Sequence, residues 1–199
     1  AGCRALALAL AEVRPAIGGG EVHRPHGQER AVVSVIDDQG SRCVVSDISF
    51  DYPSRWKRAV ALMEEQGIDA LFLMKPANLA YLTGDGRPCA MALFTRKPQC
   101  IVAVPECDLA SVRRSSVATE IRAFRSEEEL FHGFRDVLKD LDLTRKTIAL
   151  EKNFFDAALY EVFTSHILPQ ARIVSATPII SQLRMFKDLA EIECLKAAG

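Results

Sequence analysis

The chain has 199 residues, of which 49% are hydrophobic, and this is enough for one domain with a substantial core and additional segments. Its 25 basic and 26 acidic residues leave a formal net charge of −1, which gives no electrostatic reason to expect nucleic acid or an anionic membrane as a partner. The longest apolar run, ALALALA near the N-terminus, is far shorter than the roughly 20 residues that span a bilayer.

Six cysteines are scattered along the chain, and no two of them form a C-x-x-C pair. A chain of this size is stabilised by its core, so we expect reduced thiols and a cytoplasmic location instead of a disulfide framework. No basic stretch followed by an apolar segment and a cleavage site is present, which argues against secretion. The sequence begins with Ala1 instead of Met, and we interpret it as a processed or incomplete product.

Residues 1–50 differ in composition from the rest and are predicted to be an extension or linker. Residues 5–13 are compatible with a short helix, and the following RPAIGGGEVHRPHGQER has the Gly, Pro and charge content of a linker. Two β-branched runs on either side of Asp37-Asp38-Gln39-Gly40 then predict a hairpin.

A regular pattern of helices and strands starts near Ser54. Ser54 is predicted to cap a helix that ends at Gly67, and the apolar DALFLM that follows predicts a strand covered on both faces. A helical turn at Asn78–Leu82 leads into the loop Gly84-Asp85-Gly86-Arg87-Pro88. The strands CAMALFT and CIVAVP, joined by Arg-Lys-Pro-Gln, predict an antiparallel hairpin.

The second half continues the alternation of helices and strands. We predict a short helix and strand, a helix with a capping box at Ser126-Glu127-Glu128-Glu129, a strand TIALE, a helix capped by Asn153, a strand ARIVSA, and helices from Thr177 and Asp188. Helices alternating with strands predict an α/β fold of three layers, α/β/α, and the internal hairpin makes the sheet mixed.

The glycines of the loop do not form a phosphate-binding motif. The third glycine of G-x-G-x-x-G would fall at Cys89, and Pro88 with an apolar strand follows where a long helix would be needed. Metal and nucleophile patterns are also incomplete: His23 and His26 lack a third ligand, and neither H-E-x-x-H nor G-x-S-x-G occurs. By its residues alone, the chain carries no recognisable complete active site.

The order of three segments nevertheless resembles a known family. EEQGIDALFLM, then PANLAYLTGDG, then an apolar hairpin, together with the final PIISQLRMFKDLAEIECLKAAG, resembles the N-terminal domain of the creatinase/prolidase/aminopeptidase P family of M24 metallopeptidases. The resemblance covers residues 54–199 and implies a creatinase N-terminal-domain-like fold with ribonuclease H-like layering.

The resemblance also implies a second domain. Residues 51–183 would form the N-terminal domain, and residues 184–199 would start a connecting helix to a pita-bread catalytic domain. That domain would hold two divalent metal ions (Mn, Co or Zn) through two Asp, one His and two Glu, with a bridging hydroxide as nucleophile. No position of this sequence matches those ligands, so it supplies no catalytic or metal residue.

For this family the implied function is a non-catalytic domain that supports dimerisation and substrate access in a cytoplasmic, homodimeric Xaa-Pro peptidase acting on proline-containing peptides. Asp85 and Arg87, which follow Tyr81-Leu82-Thr83-Gly84, are then candidate contacts for a peptide terminus, Arg87 through bidentate pairing with a carboxylate. The alternative is that both decorate a solvent-exposed turn. Tyr81 is expected to pack against the sheet.

Three other interpretations stay open at this point. Some relatives keep the fold without metals, which would make the chain a catalytically dead peptide- or histone-binding module. Others are creatinase-like amidinohydrolases on the same scaffold. The third is an unrelated α/β domain with flavodoxin-like layering, which the hairpin and the missing phosphate loop disfavour.

Overall fold

The computed structural model describes residues 30–36 and 42–198, with side-chain surroundings for residues 49–196. These residues divide into two compact units, one of Ser54–Arg184 and one of the described residues before Ser54 together with those from Met185 onward. Across these described ranges, no helix combines the length and the apolar composition needed to cross a membrane.

A six-stranded mixed sheet forms the centre of the larger unit. Its spatial order is β6-β5-β4-β3-β7-β8, with antiparallel pairing of β3 with β4 and of β4 with β5, and parallel pairing elsewhere. The antiparallel β4–β5 pair confirms the predicted internal hairpin. The strands are β3 (Ala70–Leu73), β4 (Met91–Thr95), β5 (Cys100–Pro105), β6 (Glu120–Phe124), β7 (Thr147–Leu150) and β8 (Arg172–Ser175).

Helices cover both faces of this sheet. Because successive strand side chains point to opposite faces, Leu71 and Leu73 pack in one core with α1, α2, α3 and α6, whereas Ala70 and Phe72 pack in a second core with α4 and the turns after α5. This arrangement confirms the three-layer α/β/α prediction. The helices are α1 (Tyr52–Glu65), α2 (Pro76–Thr83), α3 (Leu109–Ser115), α4 (Glu127–Asp140), α5 (Ala157–Val162) and α6 (Thr177–Met185).

Helix α1 begins earlier than the sequence pattern predicted, and α5 later. Helix α1 starts at Tyr52, so the predicted cap at Ser54 was wrong. Pro53 fits the first turn of this helix because its missing N–H needs no partner there. Asp156 caps α5 by accepting from the Leu159 N–H at 2.8 Å, so the Asn153 cap was also wrong. Asn153 lies in a turn closed by the Phe154 N–H, which donates to the Glu151 carbonyl at 2.8 Å.

One other cap and one helix start agree with the sequence. The Ser126 hydroxyl accepts from the Glu129 N–H at 3.2 Å, while the Glu129 carboxylate accepts from the Arg125 N–H at 2.9 Å. Asp188 and Glu191 exchange side-chain-to-backbone hydrogen bonds at 2.8 and 3.1 Å, and this capping box starts α7 (Leu189–Ala198).

The smaller unit contains an antiparallel hairpin. Its strands are β1 (Arg30–Ile36) and β2 (Arg42–Ser49), with a register irregularity between Ala31 and Val33, and α7 of the same unit contacts both strands. The predicted helix at residues 5–13, His23 and His26, and the predicted turn at residues 37–40 lie outside the described residues.

Candidate functional site

The loop after α2 needs both of its glycines for geometric reasons. Gly84 ends the helix at a φ of 82°, in the left-handed region, and its N–H donates to the Ala80 carbonyl at 3.0 Å. Gly86 turns back onto the same helix, where a Cβ would lie 2.7 Å from the Pro76 carbonyl oxygen and 3.1 Å from the Ala80 Cβ. The loop therefore closes against α2, and its glycines serve a tight turn.

The side chains of Asp85 and Arg87 lie together and contact α3 and the residue directly before it. Asp85 accepts from the Arg87 N–H at 3.1 Å, from Arg87 Nε at 3.2 Å and from the Ser115 hydroxyl. Arg87 also donates from Nη1 to Asp108 at 2.8 Å and from Nη2 to the Ser111 hydroxyl at 2.5 Å. We refer to these five residues as the loop cluster: Asp85, Arg87, Asp108, Ser111 and Ser115.

The loop cluster has spare hydrogen-bonding capacity at its surface. A guanidinium carries five N–H donors, and three of those of Arg87 are used within the cluster. The side chain of Arg87 is 26% exposed and that of Asp108 is 32% exposed, whereas that of Asp85 is 9% exposed. Arg87 and Asp108 can therefore meet a ligand, while Asp85 mainly holds Arg87 in place. Contact with a peptide terminus stays a prediction for both sequence-proposed residues.

A second polar group lies inside the same unit. Glu151 is 2% exposed, and its carboxylate accepts from the Met74 N–H at 2.6 Å, from the Lys75 N–H at 2.7 Å and from the Asn78 side-chain amide. The Asn78 oxygen in turn accepts from Arg184 Nη1 at 2.7 Å. We refer to Glu151, Asn78 and Arg184 as the buried cluster; it joins the end of β7, the start of α2 and the end of α6.

Tyr81 is held by packing and by hydrogen bonds within the domain. Its ring lies 4.3 Å from the Arg55 guanidinium carbon, and its hydroxyl accepts from Arg58 at 3.0 Å and donates to the Leu183 carbonyl at 3.0 Å. Arg55 also donates to the Tyr81 carbonyl at 3.1 Å, which satisfies a carbonyl of the last turn of α2. The residue is 6% exposed, as expected for a structural position.

Sequence reasoning missed the buried cluster. The sequence pattern places Glu151 only at the end of the strand TIALE and Asn78 only in a helical turn. The available signal was the position of a charged residue directly after a continuously apolar strand, because a charged side chain at such a place must either reach solvent or be paired. The partners could not be named, since Asn78 and Glu151 are 73 residues apart and Asn78 and Arg184 are 106 apart.

Among other reactive groups, the Cys100 thiol is fully buried, and burial raises its pKa to about 12. It is therefore protonated and unreactive at neutral pH. Cys89 and Cys107 are exposed. At the surface, the hydrogen bond from Arg125 lowers the pKa of Glu106.

The metal ligands that the resemblance implies were expected in a further domain. In the part of the chain that the structure describes, no group of three or more His, Cys, Asp or Glu side chains is arranged to hold a metal ion. The loop cluster and the buried cluster supply hydrogen bonds and charge, and both include arginine, which is not a metal ligand.

Comparison with known proteins gives one family. Residues 55–186 match the model of the Creatinase/Prolidase N-terminal domain. The dipeptidase-like protein YkvY of Bacillus subtilis is 26% identical over 150 residues, which are 73% of this chain and 41% of that protein. An uncharacterised peptidase of Methanocaldococcus jannaschii is 26% identical over 73% of this chain and 36% of its own length. The chain thus matches about two fifths of each relative.

Solved structures show the same fold. A Xaa-Pro dipeptidase from Bacillus anthracis superposes with a TM-score of 0.64 at 17% identity, over 73% of this chain and 39% of that one. An aminopeptidase P structure from Streptococcus thermophilus has a TM-score of 0.57 at 20% identity, over 67% of this chain and 98% of that one. The second solved chain therefore consists of little besides this fold.

Proposed function

Because the chain belongs to the creatinase/prolidase N-terminal domain family, we propose that it is the non-catalytic N-terminal domain of a two-metal Xaa-Pro peptidase. The observation that carries the proposal is the family match over residues 55–186. Dimerisation and control of substrate access are the roles proposed for it, in a cytoplasmic homodimer acting on proline-containing peptides. The metal ions would be Mn, Co or Zn, held in a C-terminal pita-bread domain.

Two further observations support a larger protein. The curated relatives extend well beyond the matched stretch, which covers 41% and 36% of their lengths. Large apolar side chains are also exposed between Met185 and Leu189, in the smaller unit: Met185 is 64%, Phe186 70% and Leu189 82% exposed. An apolar surface of this kind is suited to being covered by a following domain.

The test is to extend the chain and assay both forms. The reading frame beyond Gly199 is sequenced, and the 199-residue chain and any longer product are assayed with Xaa-Pro dipeptides and oligopeptides in the presence of Mn²⁺, Co²⁺ or Zn²⁺. The proposal expects two Asp, one His and two Glu in that order, and hydrolysis by the longer form alone. If the longer protein lacks these ligands and still binds peptides, this would support the binding module and reject the peptidase.

We also propose that Arg87 contacts a peptide terminus through the two N–H donors that the loop cluster leaves available. Its partial exposure and its fixed position beside Asp85 support this role. In the longer protein, Arg87→Ala is expected to raise KM for peptides several-fold. Measurement of KM and kcat beside the free energy of unfolding separates this effect from loss of folding.

Ser111→Ala is the matched control for Arg87. This variant removes one partner that positions the guanidinium but leaves its outward N–H donors intact. If Arg87 binds substrate, Arg87→Ala raises KM much more than Ser111→Ala does. Equal KM values for the two variants would show that the loop cluster acts only through the shape of the loop.

A further inference from the structure

The carboxyl ends of β3 and β7 form the place where ligands bind in many open α/β sheets. β3 continues through α2 to β4 on one side, whereas β7 continues to β8 on the other, so the chain changes direction between these two neighbouring parallel strands. In open α/β sheets, ligands bind outside the carboxyl ends of the strands at such a switch point. In this protein the Glu151 carboxylate, which follows the last residue of β7, occupies that position.

The donors around Glu151 form an anion-binding arrangement. Oε2 receives the N–H groups of Met74 and Lys75, which directly precede the Pro76 start of α2, so the positive end of the helix dipole also points here. Oε1 receives the Asn78 amide. These donors come from one segment and the carboxylate from another, 73 or more residues away in the chain.

The arrangement matches a group that only accepts hydrogen bonds. The Asn78 oxygen accepts from Arg184, which fixes the orientation of the amide and turns its NH₂ toward Glu151. An ionised carboxylate accepts at both oxygens, whereas an amide at the same place would set its own NH₂ against one of the donors. Arg184 also supplies positive charge one hydrogen bond away from the carboxylate.

We propose that the donors at this switch point form an anion-binding site whose resident ligand is the Glu151 side chain itself, and that the site binds a free small carboxylate when this side chain is shortened. In the native chain the site is closed from within, and Glu151 holds the ends of β3 and β7 together. The inference concerns the domain alone and does not depend on the proposed peptidase function.

Acetate rescue of Glu151→Ala tests the proposal. The substitution removes the Cγ and carboxylate atoms, which together correspond to acetate. In the 199-residue chain, acetate at tenfold its Kd is expected to raise the melting temperature of Glu151→Ala by about 3–6 °C relative to chloride at equal ionic strength. The wild-type chain should show no such rise because its site is filled.

Three controls separate anion binding from other effects. Acetamide has the size of acetate without its charge, so equal stabilisation by acetamide would overturn the proposal. Ile148→Ala leaves a cavity at a fully buried position of β7 and should not respond to acetate. Adding Asn78→Ala to Glu151→Ala removes one donor and should weaken the acetate effect.

Refolding keeps the test decisive if Glu151→Ala is unfolded. The denatured variant is diluted from urea into acetate or chloride, and recovery of native circular dichroism is compared. Recovery in acetate above that in chloride supports the proposal. An absence of any difference, or an equal acetate effect in Ile148→Ala, contradicts it.

Discussion

The loop cluster and the buried cluster contain the same two groups, carboxylate and guanidinium, but differ in their exposure to solvent. In the loop cluster Arg87 bridges Asp85 and Asp108, and its side chain remains 26% exposed. In the buried cluster Glu151 is 2% exposed, and the Asn78 amide lies between its carboxylate and Arg184. Both clusters lie within residues 55–186, the range that matches the family.

This difference in solvent exposure separates a structural role from a recognition role. When a buried carboxylate is replaced by a group that cannot accept from all its donors, some N–H groups stay unpaired where water cannot reach them. The resulting loss in the free energy of unfolding is large. A partly exposed ion pair is screened by water and stabilises a protein by about 1 kcal/mol or less. The loop cluster can therefore change with little loss of stability and is the better place for contacts that vary with substrate.

The largest effect is expected for Glu151→Gln, because the amide cannot accept at both former oxygen positions. We expect a loss of about 3 kcal/mol in the free energy of unfolding, measured by urea denaturation. Glu64→Gln, at an exposed position of α1, is the control and should be within about 0.5 kcal/mol of wild type. Similar values for the two variants would remove the distinction between buried and exposed carboxylates.

Gly86→Ala is expected to have the next largest effect. Its Cβ would lie 2.7 Å from the Pro76 carbonyl oxygen, a backbone atom that moves only if the loop separates from α2. A loss of about 1–3 kcal/mol is expected. Gly133→Ala, in α4, meets nothing within 4 Å and should be neutral or stabilising by up to about 1 kcal/mol. Thermal unfolding of both variants measures the difference.

Asp108→Asn tests the stability of the loop cluster directly. It weakens the 2.8 Å ion pair with Arg87 but keeps a hydrogen-bond acceptor at the same place. The expected loss in the free energy of unfolding is about 0.5 kcal/mol, well below that of Glu151→Gln. A loss as large as that of Glu151→Gln would mean that the exposed cluster carries as much stability as the buried one.

The smallest effect is expected for Glu106→Gln, which changes an exposed partner of Arg125. The hydrogen bond from Arg125 lowers the pKa of Glu106 below its ordinary 4.5, so any stabilisation is present above that pH and is lost as the pH falls through the lower folded-state value. Because water screens this pair, we expect no measurable difference from wild type at pH 7. Urea denaturation at pH 7 and pH 3 checks both statements.

The sequence predicted the elements of the larger unit better than their ends. Apolar strands such as DALFLM and the left-handed C-cap at Gly67, with a φ of 66°, were correctly identified because they depend on nearby residues. The caps at Ser54 and Asn153 were wrong, because Pro53 and the turn at the Glu151 carbonyl compete with the local preference for a capping side chain. Local pattern therefore indicates that a helix exists more securely than where it begins.

Periodicity was enough to determine the three-layer α/β/α fold, because it depends on which residues are apolar. The order of the motifs was enough to determine the family, because it depends on which residues follow one another along the chain. Only the tertiary structure decided that Arg87 binds Asp108 and Ser111 and that Glu151 faces Asn78. The contact between Glu151 and Asn78 depends on the strand order, which sets β7 beside β3 although the two strands are far apart in the sequence. The sequence identifies each charged residue, but the tertiary structure determines which residue it pairs with.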